Sequence, residues 1–148
     1  MYGNPSPFSP RVQRPGSAYG RVGIETDVLS ASPHRLVALL FDGVMESMNL
    51  AIAAIQADNT AVKNNALCRC VRILDEGLKA ALNLDSSQLA RDLRDLYAYV
   101  CMRLTHANLH SDIAAIEECK RLLVPVRDAW TTIGQTPSAA DAAPARAA

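Results

Sequence analysis

The stretch that decides the fold of this 148-residue chain is ASPHRLVALLFDG, residues 31–43. Ser32 is a residue type that caps helices, because its hydroxyl can accept a hydrogen bond from a backbone N–H without a partner in the first turn. Pro33 fits the next position, where no N–H is needed. Residues 36–41 then carry an apolar surface wider than a single coiled-coil seam. The stretch therefore predicts the start of a long helix with a second apolar partner.

Apolar residues continue to recur at steps of three and four, which predicts four helices in all. The predicted helices cover residues 33–57, 60–84, 86–110 and 112–134. The connections between them are only a few residues long, so neighbouring helices must run antiparallel. The fold class that follows is all-α, an antiparallel up-and-down four-helix bundle.

Residue types that begin and end helices place the later boundaries. Asp85 and Gln88 have the spacing of a capping box, which starts the third helix near Ser86. Ser111 is expected to cap the fourth helix, and Gly134 to end it. These boundaries complete the four-helix prediction.

The two ends of the chain differ in composition from its centre. Residues 1–19 are rich in proline and glycine with few apolar residues, so we expect a flexible N-terminal tail. Residues 135–148 contain two prolines and many alanines, which bury too little surface to offset the ordering entropy, so a disordered tail is expected. The bundle domain with its N-terminal cap segment is expected to span residues 20–134.

Composition narrows the class of protein. Lys and Arg number 15 and Asp and Glu number 15, so no positive field draws in nucleic acid or an anionic membrane. Apolar runs such as residues 36–41 are far shorter than the roughly 18 residues of a membrane span, and the N-terminus does not have the pattern of a secretory signal. We expect a cytoplasmic protein without membrane insertion, whose four cysteines stay thiols and act as small core residues.

The sequence lacks the usual patterns of catalysis and metal binding. A di-iron bundle needs glutamates followed by a histidine three residues on, and no glutamate here has that partner. His106 and His110 are four residues apart, a spacing that suits zinc, but two polar residues at a helix C-terminus explain them better. No glycine-rich phosphate loop or nucleophile arrangement is present. We therefore expect no enzyme activity, no metal site and no cofactor.

The first predicted helix carries two apolar stripes. The inner stripe is Val37, Leu40, Val44, Met48, Ala51 and Ile55, and the second is Leu36, Leu39, Gly43 and Leu50. The second stripe fits an amphipathic segment of another protein. Two alternatives remain open, namely burial of both stripes inside the bundle and burial in a symmetric homodimer.

Two blocks of the chain resemble the FliS family of flagellar secretion chaperones. They are AYGRVGIETDVLSASPHRLVALLFDGVMESMNLAIAAI, residues 18–55, and DLYAYVCMRLTHANLHSDIAAIEE, residues 95–118. The resemblance implies a cytosolic export chaperone that binds the C-terminal segment of flagellin and prevents its premature polymerisation. It also implies delivery of flagellin to an export gate component of the flagellar type III apparatus. The alternative function is a structural or oligomerisation bundle that acts as a symmetric homodimer.

The resemblance also selects candidate binding residues. It places the N-terminal tyrosine of the family at Tyr19 and the following apolar residue at Ile24, in a stretch that in the family can cover the binding groove. The candidates for contact with the bound segment are Tyr19, Ile24, Leu36, Leu39, Leu40, Phe41, Tyr97 and Tyr99. Leu40 and Tyr97 fit the bundle core equally well, so their assignment stays open.

Overall fold

The first helix begins where the sequence predicts. The computed structural model describes residues 30–135 and divides the chain into two units, Met1–Leu36 and Val37–Ala148. In the described part of the first unit, the Arg35 N–H donates to Ser32 Oγ at 3.1 Å, which confirms Ser32 as the cap. The predicted tail at residues 1–19 and nearly all of that at 135–148 lie outside the described residues.

Four helices and no strand are present between residues 30 and 135, which confirms the all-α four-helix bundle. They are α1 (Pro33–Gln56), α2 (Thr60–Arg72) with a π-helical continuation (Ile73–Leu78), α3 (Gln88–His110) and α4 (Ile113–Gln135). The second helix is thus shorter than predicted, because regular α-helix gives way to the π-helical segment.

Consecutive helices pack closely enough for cysteine thiols to reach main-chain oxygens of the preceding helix. These contacts are Cys70 Sγ to Val44 O at 3.8 Å, Cys101 Sγ to Val71 O at 3.9 Å and Cys119 Sγ to Val100 O at 3.9 Å. Burial raises the pKa of the Cys70 and Cys119 thiols to about 12, so both remain protonated donors at neutral pH. Cys68 is exposed, and its prediction as a core residue is wrong because it lies on the outer face of α2.

A buried lysine joins the start of α2 to the end of α3. Lys63 Nζ donates to Asn108 O and to Ser111 Oγ, both at 2.9 Å. The lysine thus satisfies a carbonyl that has no partner in the last turn of α3. Since the start of one helix lies beside the end of the next, α2 and α3 run antiparallel, as the short connections predicted.

Two of the predicted caps are wrong in detail. Ser87, not Asp85, caps α3, because Ser87 Oγ accepts from the Ala90 N–H at 3.1 Å. Ser111 lies at the C-terminal end of α3 with a left-handed φ of 50°. Asp112 takes the predicted role of Ser111 at α4, where Asp112 Oδ1 accepts from the Ala115 N–H at 3.2 Å. Adjacent capping residue types compete for the same position, so sequence gives each boundary only to within one or two residues.

Candidate functional site: an apolar groove at one end of the bundle

A groove of about 400 Å³ lies where the four helices meet at one end of the bundle, and we call it the apolar groove. Its lining consists of Val37, Phe41, Leu78, Ala81, Leu82, Leu89, Leu93, Tyr97, Pro125, Val126, Ala129, Trp130 and Ile133. None of these side chains is charged. A concave site of this size and composition accepts apolar side chains and repels charged ones.

The α3 wall of the groove runs from an exposed rim to a buried floor. Leu89, Leu93 and Tyr97 are spaced by four residues, so they follow one another along the same side of the helix. Leu89 is 65% exposed, Leu93 is half-buried, and Tyr97 is 3% exposed. An occupant that entered this groove would therefore meet aliphatic surface first and the tyrosine last.

The wall contributed by the second helix depends on its π-helical segment. Cys70, Leu74 and Leu78 are all buried and are spaced by four residues. In a straight α-helix each four-residue step drifts by about 40° around the axis. The wider π turn, closed by the Lys79 N–H to Leu74 O bond of 2.8 Å, offsets this drift. Leu78 thereby reaches the groove, and Leu82 joins the lining from the residues that follow the helical segment.

The α4 wall includes a proline within the helix. Pro125, Val126 and Ala129 line the groove together with Trp130 and Ile133, over slightly more than two turns. Because proline has no N–H, its side of the helix presents carbon atoms instead of a backbone donor. This wall therefore matches the apolar character of the other three.

Two of the predicted binding residues line the apolar groove, and both form its floor. Phe41 is 2% exposed and Tyr97 is 3% exposed, so each also belongs to the bundle core. Phe41 and Tyr97 therefore belong to the bundle core and to the groove lining at the same time. A residue can pack against neighbouring helices on one side and line a cavity on the other.

Four other predicted residues lie away from the groove lining. Leu40 packs against Gly77, where a Cβ atom would come within 3.1 Å of the leucine side chain. Leu39 is half-buried, and Leu36 and Tyr99 are exposed. The remaining two predicted residues, Tyr19 and Ile24, lie outside the described residues.

Tyr99 takes part in a polar network on the surface of α3 and α4. Its hydroxyl donates to Glu118 Oε2 at 2.5 Å, and Arg103 Nε donates to Glu118 Oε1 at 2.8 Å. These two hydrogen bonds, that from Tyr99 first, lower the pKa of the Glu118 carboxyl below its ordinary value. The hydroxyl of Tyr99 is therefore already used in a hydrogen bond within the chain.

Sequence reasoning missed most of the groove lining outside α1. Leu89, Val126 and Trp130 line the groove but are not among the predicted binding residues. Trp130 is the single tryptophan of the chain, and it lies close to Pro125 on α4. A large aromatic residue five positions after a proline inside a helix is the signal in the sequence that could have indicated this wall.

The histidine pair predicted to be a polar helix end lies at the C-terminus of α3. The rings of His106 and His110 have centroids 4.5 Å apart, and His106 Nε2 lies 3.4 Å from Asp112 Oδ2. Among residues 30–135, no group of three or more His, Cys, Asp or Glu side chains is placed to hold a metal ion.

Helix α1 is the most apolar helix of the described residues by the test for a membrane span. Its 18-residue window has a mean hydropathy of 1.6, which by length and composition alone would suit a membrane span. A core helix of a bundle has the same composition, so this is weak evidence for a membrane. Two large apolar side chains of α1, Leu36 and Leu50, are exposed.

The fold and the groove together define an all-α helical bundle with an uncharged, apolar groove at one end. The family model described as "Flagellar protein FliS" matches residues 15–137. The chain is 39% identical over 117 residues to the flagellar secretion chaperone FliS of Salmonella typhimurium, covering 78% of this chain and 87% of that protein. It is 37% identical over 122 residues to the FliS of Escherichia coli, covering 82% and 90%.

A more distant relative is the flagellar secretion chaperone FliS of Bacillus subtilis, which is 30% identical over 119 residues, covering 80% of this chain and 85% of that protein. The chain belongs to the FliS family of flagellar secretion chaperones. This is a family of chaperones and not of enzymes, and membership agrees with the resemblance found in residues 18–55 and 95–118.

Proposed function

We propose that this protein is a cytoplasmic chaperone that binds the C-terminal segment of flagellin in the apolar groove. It prevents premature polymerisation of flagellin and delivers it to an export gate component of the flagellar type III apparatus. The observation that carries the proposal is the groove of about 400 Å³ without a charged side chain in its lining, in a chain of the FliS family.

The groove suits a segment that folds as it binds. An amphipathic helix places aliphatic side chains at steps of three and four, which is the spacing of the wall residues Leu89 and Leu93 on α3 and Val126 and Trp130 on α4. If the apolar stripe of flagellin is buried in the groove, it is covered and cannot pack against other copies of flagellin. Because ordering the segment costs free energy, binding remains reversible and the client can be released for export.

The predicted contact residues divide into three groups within this proposal. Phe41 and Tyr97 contact the client from the floor of the groove. Leu36, which is exposed, and Leu39 and Leu40, which are half-buried, extend the contact along α1. Tyr99 at the surface of α3, and Tyr19 and Ile24 in the N-terminal stretch, complete the predicted set.

Trp130 supplies a direct test of client binding. It is the single tryptophan and it lines the groove, so its fluorescence reports the polarity there. Titration with a tryptophan-free peptide from the flagellin C-terminus should shift the emission to shorter wavelength and saturate. A peptide of the same composition in scrambled order is the control. Equal shifts with both peptides, or no shift with either, would overturn the proposal.

A symmetric homodimer is the second candidate, and two exposed apolar side chains on α3 favour it. Met102 and Leu109 are seven residues apart on the outer surface of the helix, away from the groove. They extend over only about 10 Å, whereas a stable interface buries about 800 Å² on each partner. Measurement of the mass in solution with and without the flagellin peptide separates the two functions. A stable dimer that ignores the peptide would favour the structural role.

A further inference from the structure

The hydroxyl of Tyr97 is a hydrogen-bond donor without a partner in the groove. Tyr97 lines the apolar groove and is 3% exposed, yet its hydroxyl makes no hydrogen bond within residues 30–135. Tyrosine hydroxyls in protein interiors usually find a partner, because an unpaired one loses its bond to water without replacement. An unpartnered hydroxyl at this position therefore calls for an explanation.

The hydroxyl is not sealed inside the protein. In the described part of the chain, Asn108 Oδ1 is the one side-chain polar atom that is both fully buried and without a partner. The Tyr97 hydroxyl also has no partner, but it is not a fully buried atom. Part of its surface is therefore accessible. The accessible space that Tyr97 borders is the apolar groove.

We propose that the Tyr97 hydroxyl donates a hydrogen bond to an oxygen acceptor of the bound client segment and thereby fixes the register of that segment in the groove. The inference rests on the proposed function, because it concerns the same groove. Aliphatic contacts along the walls tolerate sliding by a turn, whereas one directional bond at the floor selects a single position.

The acceptor has a definable chemistry. In a helical client each backbone N–H is used once, whereas each carbonyl oxygen has a second lone pair that can accept from a hydroxyl. A side-chain oxygen of Asn, Gln, Ser or Thr is the other neutral source. A carboxylate is disfavoured, because the lining offers no cation to pair with it. Burial raises the pKa of Tyr97 to about 12, so the hydroxyl keeps its proton throughout the physiological range.

The test compares two hydroxyls on α3. Tyr97→Phe removes an oxygen without an internal partner, whereas Thr105→Val removes one that donates to Cys101 O at 2.9 Å and lies outside the groove lining. Affinity for the flagellin C-terminal peptide is measured by the fluorescence of Trp130 and by calorimetry, and thermal midpoints are measured in parallel. Tyr97→Phe should weaken binding about 3- to 10-fold, the size of one net hydrogen bond, with an unchanged or raised midpoint. Thr105→Val should bind normally.

The outcomes separate this inference from the function on which it rests. If the wild-type protein does not bind the peptide, the proposed function fails and the inference fails with it. If the wild type binds and Tyr97→Phe binds equally well, the inference alone is overturned. A Tyr97→Phe midpoint that falls as affinity falls would show an internal partner and would also overturn it.

Peptide variants identify the source of the acceptor. Each Asn, Gln, Ser or Thr of the peptide is replaced by Ala in turn and tested against both the wild type and Tyr97→Phe. A side-chain acceptor is identified if one replacement abolishes the difference between the two proteins. If the difference persists through every replacement, the acceptor is a main-chain carbonyl.

Discussion

Replacement of Leu89 by alanine should weaken client binding without loss of stability. Leu89 lies at the rim of the apolar groove in the first turn of α3 and is 65% exposed. A client in the groove would cover this exposed surface, whereas the folded chain alone gains little from it. Alanine also has a slightly higher helix propensity than leucine, so α3 should form normally.

The magnitude follows from the exposed fraction of the side chain. Complete burial of a leucine stabilises by about 1.5–3 kcal/mol, so covering the remaining two thirds contributes about 1–2 kcal/mol to binding. This corresponds to a dissociation constant about 5- to 30-fold higher for Leu89→Ala. The free energy of unfolding should change by less than about 0.5 kcal/mol, as expected of an exposed position.

The same substitution at Leu109 is the matched control. Leu109 lies on the same helix, is 78% exposed, and is about 30 Å from Leu89 along the axis, outside the groove. Affinities for the flagellin C-terminal peptide are compared by calorimetry. The reasoning is refuted if Leu109→Ala weakens binding as much as Leu89→Ala does, or if neither changes it.

Two further predictions concern the core. Phe41→Ala should lower the free energy of unfolding by about 3–5 kcal/mol in urea denaturation, because it opens a cavity at a position 2% exposed; a loss below 1 kcal/mol would show that Phe41 serves binding alone. Because burial raises the pKa of the Cys70 and Cys119 thiols from 9.0 to about 12, stability should fall progressively as the pH increases from 9 toward 12. Denaturation at stepped alkaline pH checks this, and constant stability up to pH 11 would contradict it.

The helices were predictable because their signals are local. Ser32 and Pro33 fix the start of α1 through backbone geometry, and apolar steps of three and four fix the inward faces. The π-helical segment was not predicted, although its signal is present. Cys70, Leu74 and Leu78 are spaced by four, a period longer than the 3.6 residues of an α-helix, and the wider π turn accommodates it.

The groove was less predictable, because it depends on which helix ends meet. The sequence leaves Tyr97 open between core and contact and predicts Phe41 as a contact residue, and periodicity does not distinguish a filled interior from the floor of a cavity. That distinction depends on the shape of the opposing α4 wall, where Pro125 and Trp130 lie. The positions of side chains from four separate segments have to be known together before a cavity of this kind is visible.

The rim and the floor of the groove should contribute independently to binding, and this can be tested with the variants already described. Leu89 and Tyr97 are about 12 Å apart along α3 and act by different means, one through apolar area and the other through a directional bond. Sites this far apart usually add within about 0.3–0.5 kcal/mol. The double variant Leu89→Ala with Tyr97→Phe should therefore show the product of the two separate losses of affinity. A markedly smaller loss would mean that the client shifts its register once either contact is removed, and the floor would then not hold the segment in one position.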